Sequence, residues 1–205
     1  EPRLIYTSSN FFDSGDKNSN RRTIHLGIDV FCKENTNTYC PLFGEIVVVE
    51  NCQDRLDYGG FIVLKHSTEN GSYFFSLFGH LDPSSITLKV GQKVKKGMIL
   101  GKIGSFDVNG GWEPHLHIQL SLGLGQGKNW PGVCSPKEIK FWEKYCPNPA
   151  VFLGLNPKKI KFEGIEKKTL VQNRKKHYSG NLKISYKKPI TMMRGYKNYL
   201  FDENG

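Results

Sequence analysis

No run of this chain approaches the ~20 consecutive apolar residues that a membrane-spanning helix needs, so no membrane partner is expected. The opening EPRLIYTSSN has neither a basic head nor an apolar stretch behind it, which argues against a secretory leader. It also lacks an initiating methionine, and YLFDENG stops abruptly, so both ends are expected to be joints in a longer polypeptide. C-x-x-C pairs are absent. The five cysteines (Cys32, Cys40, Cys52, Cys134 and Cys146) fall at irregular spacing, which argues against a cysteine zinc knuckle and fits free thiols in a reducing, cytoplasmic setting. Acidic residues are the minority, 19 against 29 Lys and Arg, for a net charge of +10. Much of the surplus lies in Lys158, Lys159, Lys161, Lys167, Lys168, Arg174, Lys175, Lys176, Lys183, Lys187 and Lys188. That stretch reads as a solvated connector, so no nucleic-acid partner is expected.

Helical periodicity is likewise missing from residues 24–120. What stands there instead is a series of short runs rich in Ile, Val, Phe and Leu: IHLGIDVF, GEIVVVEN, GGFIVLKHS, SYFFSLFGHL, MILGKIG and HLHIQLSL. Gly, Asn, Asp and Pro clusters separate them at hairpin length, too short for crossover helices. A mainly β fold of antiparallel sheet or sandwich type is expected. One short helix near 135–146 should follow, with Ser135 as N-cap, Pro136 at the first position and Glu138 closing a capping box. Ile139, Trp142 and Cys146 would then share a side, and Pro147 would end it. The expected organisation is a lead-in (1–21), a β domain (22–156), a linker (157–180) and a C-terminal extension (181–205).

Six histidines carry the question of function. In PHLH, His115 and His117 are two apart in an alternating apolar run, so on a strand both imidazoles project to one face. Such a pair suits a metal or acid–base work. In HLGID, His25 and Asp29 are four apart, again one face of an extended segment. His, Asp and a further His give the nitrogen and oxygen set of a catalytic zinc with an open fourth position. His80 sits in FGHLD. His66, in LKHS, reads as a sheet-surface residue, and His177 as solvent-exposed. Trp112, just before the pair, is either a cleft wall or a core aromatic.

The order HLGID, FGHLD, PHLH over residues 22–122 resembles the lysostaphin-type zinc metallopeptidases. The intervening V-G-Q-x-V-x-x-G-x-x-L-G-x-I-G hairpin is shared with them. Part of it also resembles lipoyl and biotinyl carrier hairpins, but the carriers' modifiable lysine turn is missing. The peptidase resemblance implies a duplicated hybrid motif fold. It makes His25, Asp29 and His117 the zinc ligands and His80 and His115 the catalytic histidines. The substrate would be a peptide or small amide, cleaved with the help of a metal-activated water. An alternative is a zinc-binding or scaffolding module without catalysis.

The tail is similar to something else. N-L-x-x-S-Y-x-x-P and R-G-x-x-x-Y-L-F-D, within residues 177–205, resemble the opening of class III aminotransferases related to phosphoethanolamine phospho-lyases. Together with EPRLIYTS and CPNPAVFLGLNP, this implies a middle module in a bacterial fusion. A kinase-like domain would precede it, and pyridoxal phosphate would belong only to the domain downstream. Flanking domains of the same chain would be its partners. The exposed tail aromatics Tyr186, Tyr196, Tyr199 and Phe201 would favour association with a second copy.

Overall fold

The computed structural model describes residue 11 and residues 22–123, 130–150, 152–155, 167–177, 192–196 and 199–202. It is mainly β with short helices, as its alternating runs require. Among the described residues twelve strands occur in chain order: β1 (Ile24–His25), β2 (Ile28–Phe31), β3 (Asn37–Tyr39), β4 (Gly44–Cys52), β5 (Gly59–Ser67), β6 (Tyr73–Leu81), β7 (Lys93–Val94), β8 (Ile99–Lys102), β9 (His115–Ser121), β10 (Val133–Cys134), β11 (Met192–Tyr196) and β12 (Tyr199–Asp202). Six of them form one antiparallel sheet in the order β2-β9-β6-β5-β4-β7. β3 with β8, β1 with β10, and β11 with β12 make separate two-stranded ribbons. No helix among the described residues is long and apolar enough to cross a membrane.

Strand β5 lies inside the sheet and is buried from Gly59 through Leu64, so both of its faces must be covered. Its side chains divide by parity. Ile62 and Leu64 join Ile46, Phe78, Leu81, Leu100, Ile103 and Ile118 on one side. Phe61 and Val63 join Val48, Tyr58, Phe75, Leu77 and Trp130 on the other. Strand β9 follows the same rule. Ile118 packs into the first cluster, while His115, His117, Gln119 and Ser121 occupy the opposite face.

Three expectations change. IHLGIDVF is not one strand: it breaks at Leu26–Gly27, with β1 pairing β10 and β2 pairing β9. The helix, α1 (Ile139–Tyr145), starts later than the capping pattern indicated. Glu138 does reach back to the Ser135 amide at 3.1 Å, but it also accepts the Ser135 hydroxyl at 2.8 Å. The Glu138 amide goes to the Ser135 carbonyl at 3.0 Å, so residues 136–138 form a turn and Pro136 precedes the helix. Within the stretch expected to be a linker, Lys167–His177 forms a second helix, α2. Apart from the β11–β12 backbone, the features expected of 181–205 lie outside the described residues, as does the His177 side chain.

His66 is a fourth correction. It is 1% exposed, not a surface residue. Its Nδ1–H donates to the Phe43 carbonyl at 2.8 Å, which leaves Nε2 to accept the Ser76 hydroxyl at 2.7 Å. It stacks on Phe74 and meets Phe152 edge-on. The apolar alternation in LKHS counts residues but cannot tell a covered face from an open one. All five cysteines are free, and burial raises the pKa of every thiol, those of Cys52 and Cys134 to about 11.

Burial pushes the His66 pKa below its ordinary value. The unfolded chain therefore binds the extra proton as pH falls below about 6.5, and the folded state loses stability in that window. His66→Phe removes both hydrogen bonds and should cost about 1–3 kcal/mol at pH 7.5. In urea melts the gap to wild type should narrow by pH 5, because only the wild type carries this proton linkage. A gap constant with pH would show that His66 does not titrate against folding.

Candidate metal centre

The centre is built by register. β9 sits between β2 and β6, and His117 pairs with Asp29 on one side and with Gly79 on the other. His25 arrives on the short β1–β10 ribbon, beyond a bend at Gly27. A Cβ at Gly27 would lie 2.5 Å from the Ile118 carbonyl oxygen and 2.7 Å from His117 Cε1. The glycine inside HLGID is thus what lets β1 and β2 close on β9. His25 and Asp29 meet around that bend rather than along one straight strand.

His80 gets to the site by a bulge. In the β5–β6 pair Gly60 faces Leu81 and Ile62 faces Phe78, so two residues of β6 oppose one of β5. His80 takes the left-handed conformation there, with φ 63°. The bulge reverses the alternation, sending Leu81 into the apolar cluster and the imidazole to the His117 side. Gly79 beside it has no room for a side chain, since a Cβ would lie 2.7 Å from the Tyr58 ring.

All five residues singled out from sequence come together. His25 Nε2 lies 2.9 Å from His117 Nδ1 and 3.2 Å from Asp29 Oδ1, and His117 Nδ1 lies 3.1 Å from Asp29 Oδ1. Burial raises the Asp29 pKa, but the adjoining His117 and His25 imidazoles outweigh it and hold the carboxyl far below the usual range. Burial lowers the His117 pKa against the opposing pull of Asp29. The three atoms form a triangle with sides close to the edge of a tetrahedral zinc site, about 3.3–3.4 Å for bonds of 2.0–2.1 Å. Two imidazole nitrogens and a carboxylate oxygen are a donor set that fits zinc.

His80 and His115 stand beside this triangle with ring centres 4.2 Å apart. His115 Nε2 is 3.7 Å from Asp29 Oδ1. Each ring has its Nδ1–H fixed by a backbone carbonyl, Glu113 for His115 at 2.6 Å and Asn109 for His80 at 2.9 Å. In the neutral ring that leaves the Nε2 lone pair unclaimed. Burial pushes the His80 pKa well down, helped by His115 and His117. A cavity of 460 Å³ opens over the five residues, with Trp112 and Trp130 among its walls. Trp112 is therefore a cleft residue, and its indole N–H donates to the Asp57 carbonyl at 3.1 Å.

Three supporting residues were missed in the sequence. Asn109 is fully buried. Its amide group binds the Gly104 and Trp112 carbonyls and the Trp112 N–H, folding the 104–112 loop so that its own carbonyl meets His80. Tyr58 packs its ring on His117 and His80, with its hydroxyl buried and without a hydrogen-bond partner among the described residues. Gln119 continues the parity of His115 and His117, and that spacing was a readable signal. The N-terminal lead-in also takes part, since Phe11 is buried and lines the cleft.

An antiparallel sheet presenting a His, His, Asp triangle with two further histidines at a cleft defines a metallopeptidase-type centre. Residues 23–129 match peptidase family M23, and these are 107 of the 205 residues in the chain. The chain belongs to that family. It is 28% identical over 166 residues to Endolysin 2638A of Staphylococcus phage 2638A, covering 80% of this chain and 31% of that protein. It thus spans about a third of the relative's length. Among solved structures it is similar to the catalytic domain of the prophage-encoded M23 protein EnpA from Enterococcus faecalis, at 26% identity and TM-score 0.42 over 55% of this chain and 76% of that one. It is also similar to the catalytic domain of lysostaphin from Staphylococcus simulans, at 26% identity and TM-score 0.41 over 59% and 80%.

Gly27→Ala tests the register argument. The added methyl meets backbone on β9, so the unfolding free energy should fall by about 1–3 kcal/mol in urea melts. A change within a few tenths would mean that β1 and β2 can close without the glycine.

Proposed function

We propose that this chain is a zinc-dependent peptidase module that hydrolyses peptide bonds. The observation that carries the reading is the convergence of His25 Nε2, Asp29 Oδ1 and His117 Nδ1 at 2.9–3.2 Å, with His80 and His115 alongside. His25, Asp29 and His117 hold the metal. Zinc, when bound, supplies Lewis acidity that polarises the scissile carbonyl and acidifies water. His80 and His115 move protons: one neutral ring accepts at Nε2, and the other, once protonated, donates to the oxygen or leaving nitrogen of the amide. Their backbone-fixed Nδ1 protons keep both Nε2 atoms available for this exchange.

The 460 Å³ cleft over the five residues supports a peptide as the substrate. The likeness to a protein named as an endolysin supports a wall-type peptide, rich in glycine or D-amino acids, as substrate. Cytoplasmic residence and fusion to a pyridoxal phosphate-dependent aminotransferase are supported by the tail motifs, the EPRLIYTS and CPNPAVFLGLNP stretches and the free thiols. The full reading frame decides that part.

The purified 205-residue protein should bind one zinc and cleave a quenched fluorescent pentaglycine peptide, with activity lost to chelator and restored by zinc. His117→Ala should lose both metal and turnover. His80→Ala and His115→Ala should keep zinc while turnover falls about 10²–10⁴-fold. Equal zinc loss in His115→Ala and His117→Ala would move His115 into the ligand set. Zinc bound without turnover of any wall-type peptide would make the chain a binding or scaffolding module.

A further inference from the structure

We infer that Gln119 is the positioning residue for His117, selecting the ring tautomer that points a lone pair, not a proton, at the metal position. The inference rests on the zinc-peptidase reading and deepens it. Gln119 is 1% exposed, two residues beyond His117 on the same face of β9. Three contacts fix its amide group. The Nε2 atom lies 3.2 Å from the Pro131 carbonyl and 3.4 Å from Cys146 Sγ, and Oε1 lies 3.1 Å from His117 Nε2.

The assignment follows from what each atom can do. The Pro131 carbonyl only accepts, so the amide nitrogen of Gln119 must face it. Its Oε1 then necessarily faces His117, and an amide oxygen also only accepts. His117 must therefore carry its proton on Nε2. In the neutral ring Nδ1 is left with a lone pair, aimed at Asp29 Oδ1 and His25 Nε2. Without Gln119, the opposite tautomer would place a proton between His117 Nδ1 and Asp29 Oδ1, where 3.1 Å makes a good hydrogen bond. That arrangement would satisfy the dyad and occupy the metal position. The contact of Gln119 with Pro131 also ties β9 to a cleft-lining segment, since Pro131, Gly132 and Val133 border the same cavity.

Two measurements on the whole 205-residue protein test this. With ¹⁵N-histidine labelling, the zinc-free wild type should show His117 protonated at Nε2 and bare at Nδ1. A proton on Nδ1 would overturn the inference. Zinc affinity, read by competition with a chromophoric chelator, should weaken about 10–100-fold in Gln119→Met, which keeps the volume but has no acceptor. Gln119→Glu retains an oxygen toward His117 and should recover most of that loss. Gln119→Met with a lowered Tm but unchanged zinc affinity and tautomer would reduce Gln119 to a packing residue and overturn the inference. Wild type that binds no zinc would instead sink the metallopeptidase reading, while the tautomer measurement would still judge Gln119.

Discussion

Everything at the site depends on where β9 lies in the sheet. With β2 on one side and β6 on the other, the pairings Asp29 with His117 and His117 with Gly79 set the positions of a carboxylate and a bulge around one imidazole. A slip of one residue in either ladder would turn His115, His117 and Gln119 toward Leu100 and Ile103, and Ile118 toward the cleft. The apolar packing of Ile118, Phe78 and Ile62 on the far face prevents that slip. Hydrophobic burial on one side of the sheet is thus what holds the polar geometry on the other.

The polar side is organised by hydrogen bonds made behind the imidazoles. Each of three imidazoles has one ring nitrogen occupied away from the cleft: His80 by the Asn109 carbonyl, His115 by the Glu113 carbonyl and His117 by the Gln119 amide oxygen. None of these partners carries a formal charge. The Asp29 carboxylate sits on the cleft side, where the neighbouring His117 and His25 imidazoles hold it ionised. The result is a pocket with acceptors facing inward and donors consumed behind, which is what a cation requires.

Much of this was legible in the residues. The alternating apolar runs located β4, β5, β6 and β9 nearly to their ends, because each is long enough for parity to repeat. Strands β3, β7 and β10, of two or three residues, leave no periodicity to read and exist only through their partners. The five site residues were readable as motifs, but not the reason His80 faces them. A bulge reverses the very alternation that sequence reading assumes. His66 and Asn109 illustrate the other limit. His66 is covered by Phe152 and Asn109 packs against the backbone at Gly59, partners that come from different stretches of chain.

The cysteines lead to a practical point about handling the protein. With the Cys52 and Cys134 pKa values raised to about 11, only about one in ten thousand of those thiols is ionised at pH 7. Thiolate is the form that attacks disulfides and captures soft metals. Neither sulfur competes effectively with the imidazoles for zinc, and neither exchanges readily with oxidised glutathione. The protein can therefore be purified and loaded in buffers free of dithiols, whose own sulfurs would otherwise strip the ion from a site built of two nitrogens and one oxygen.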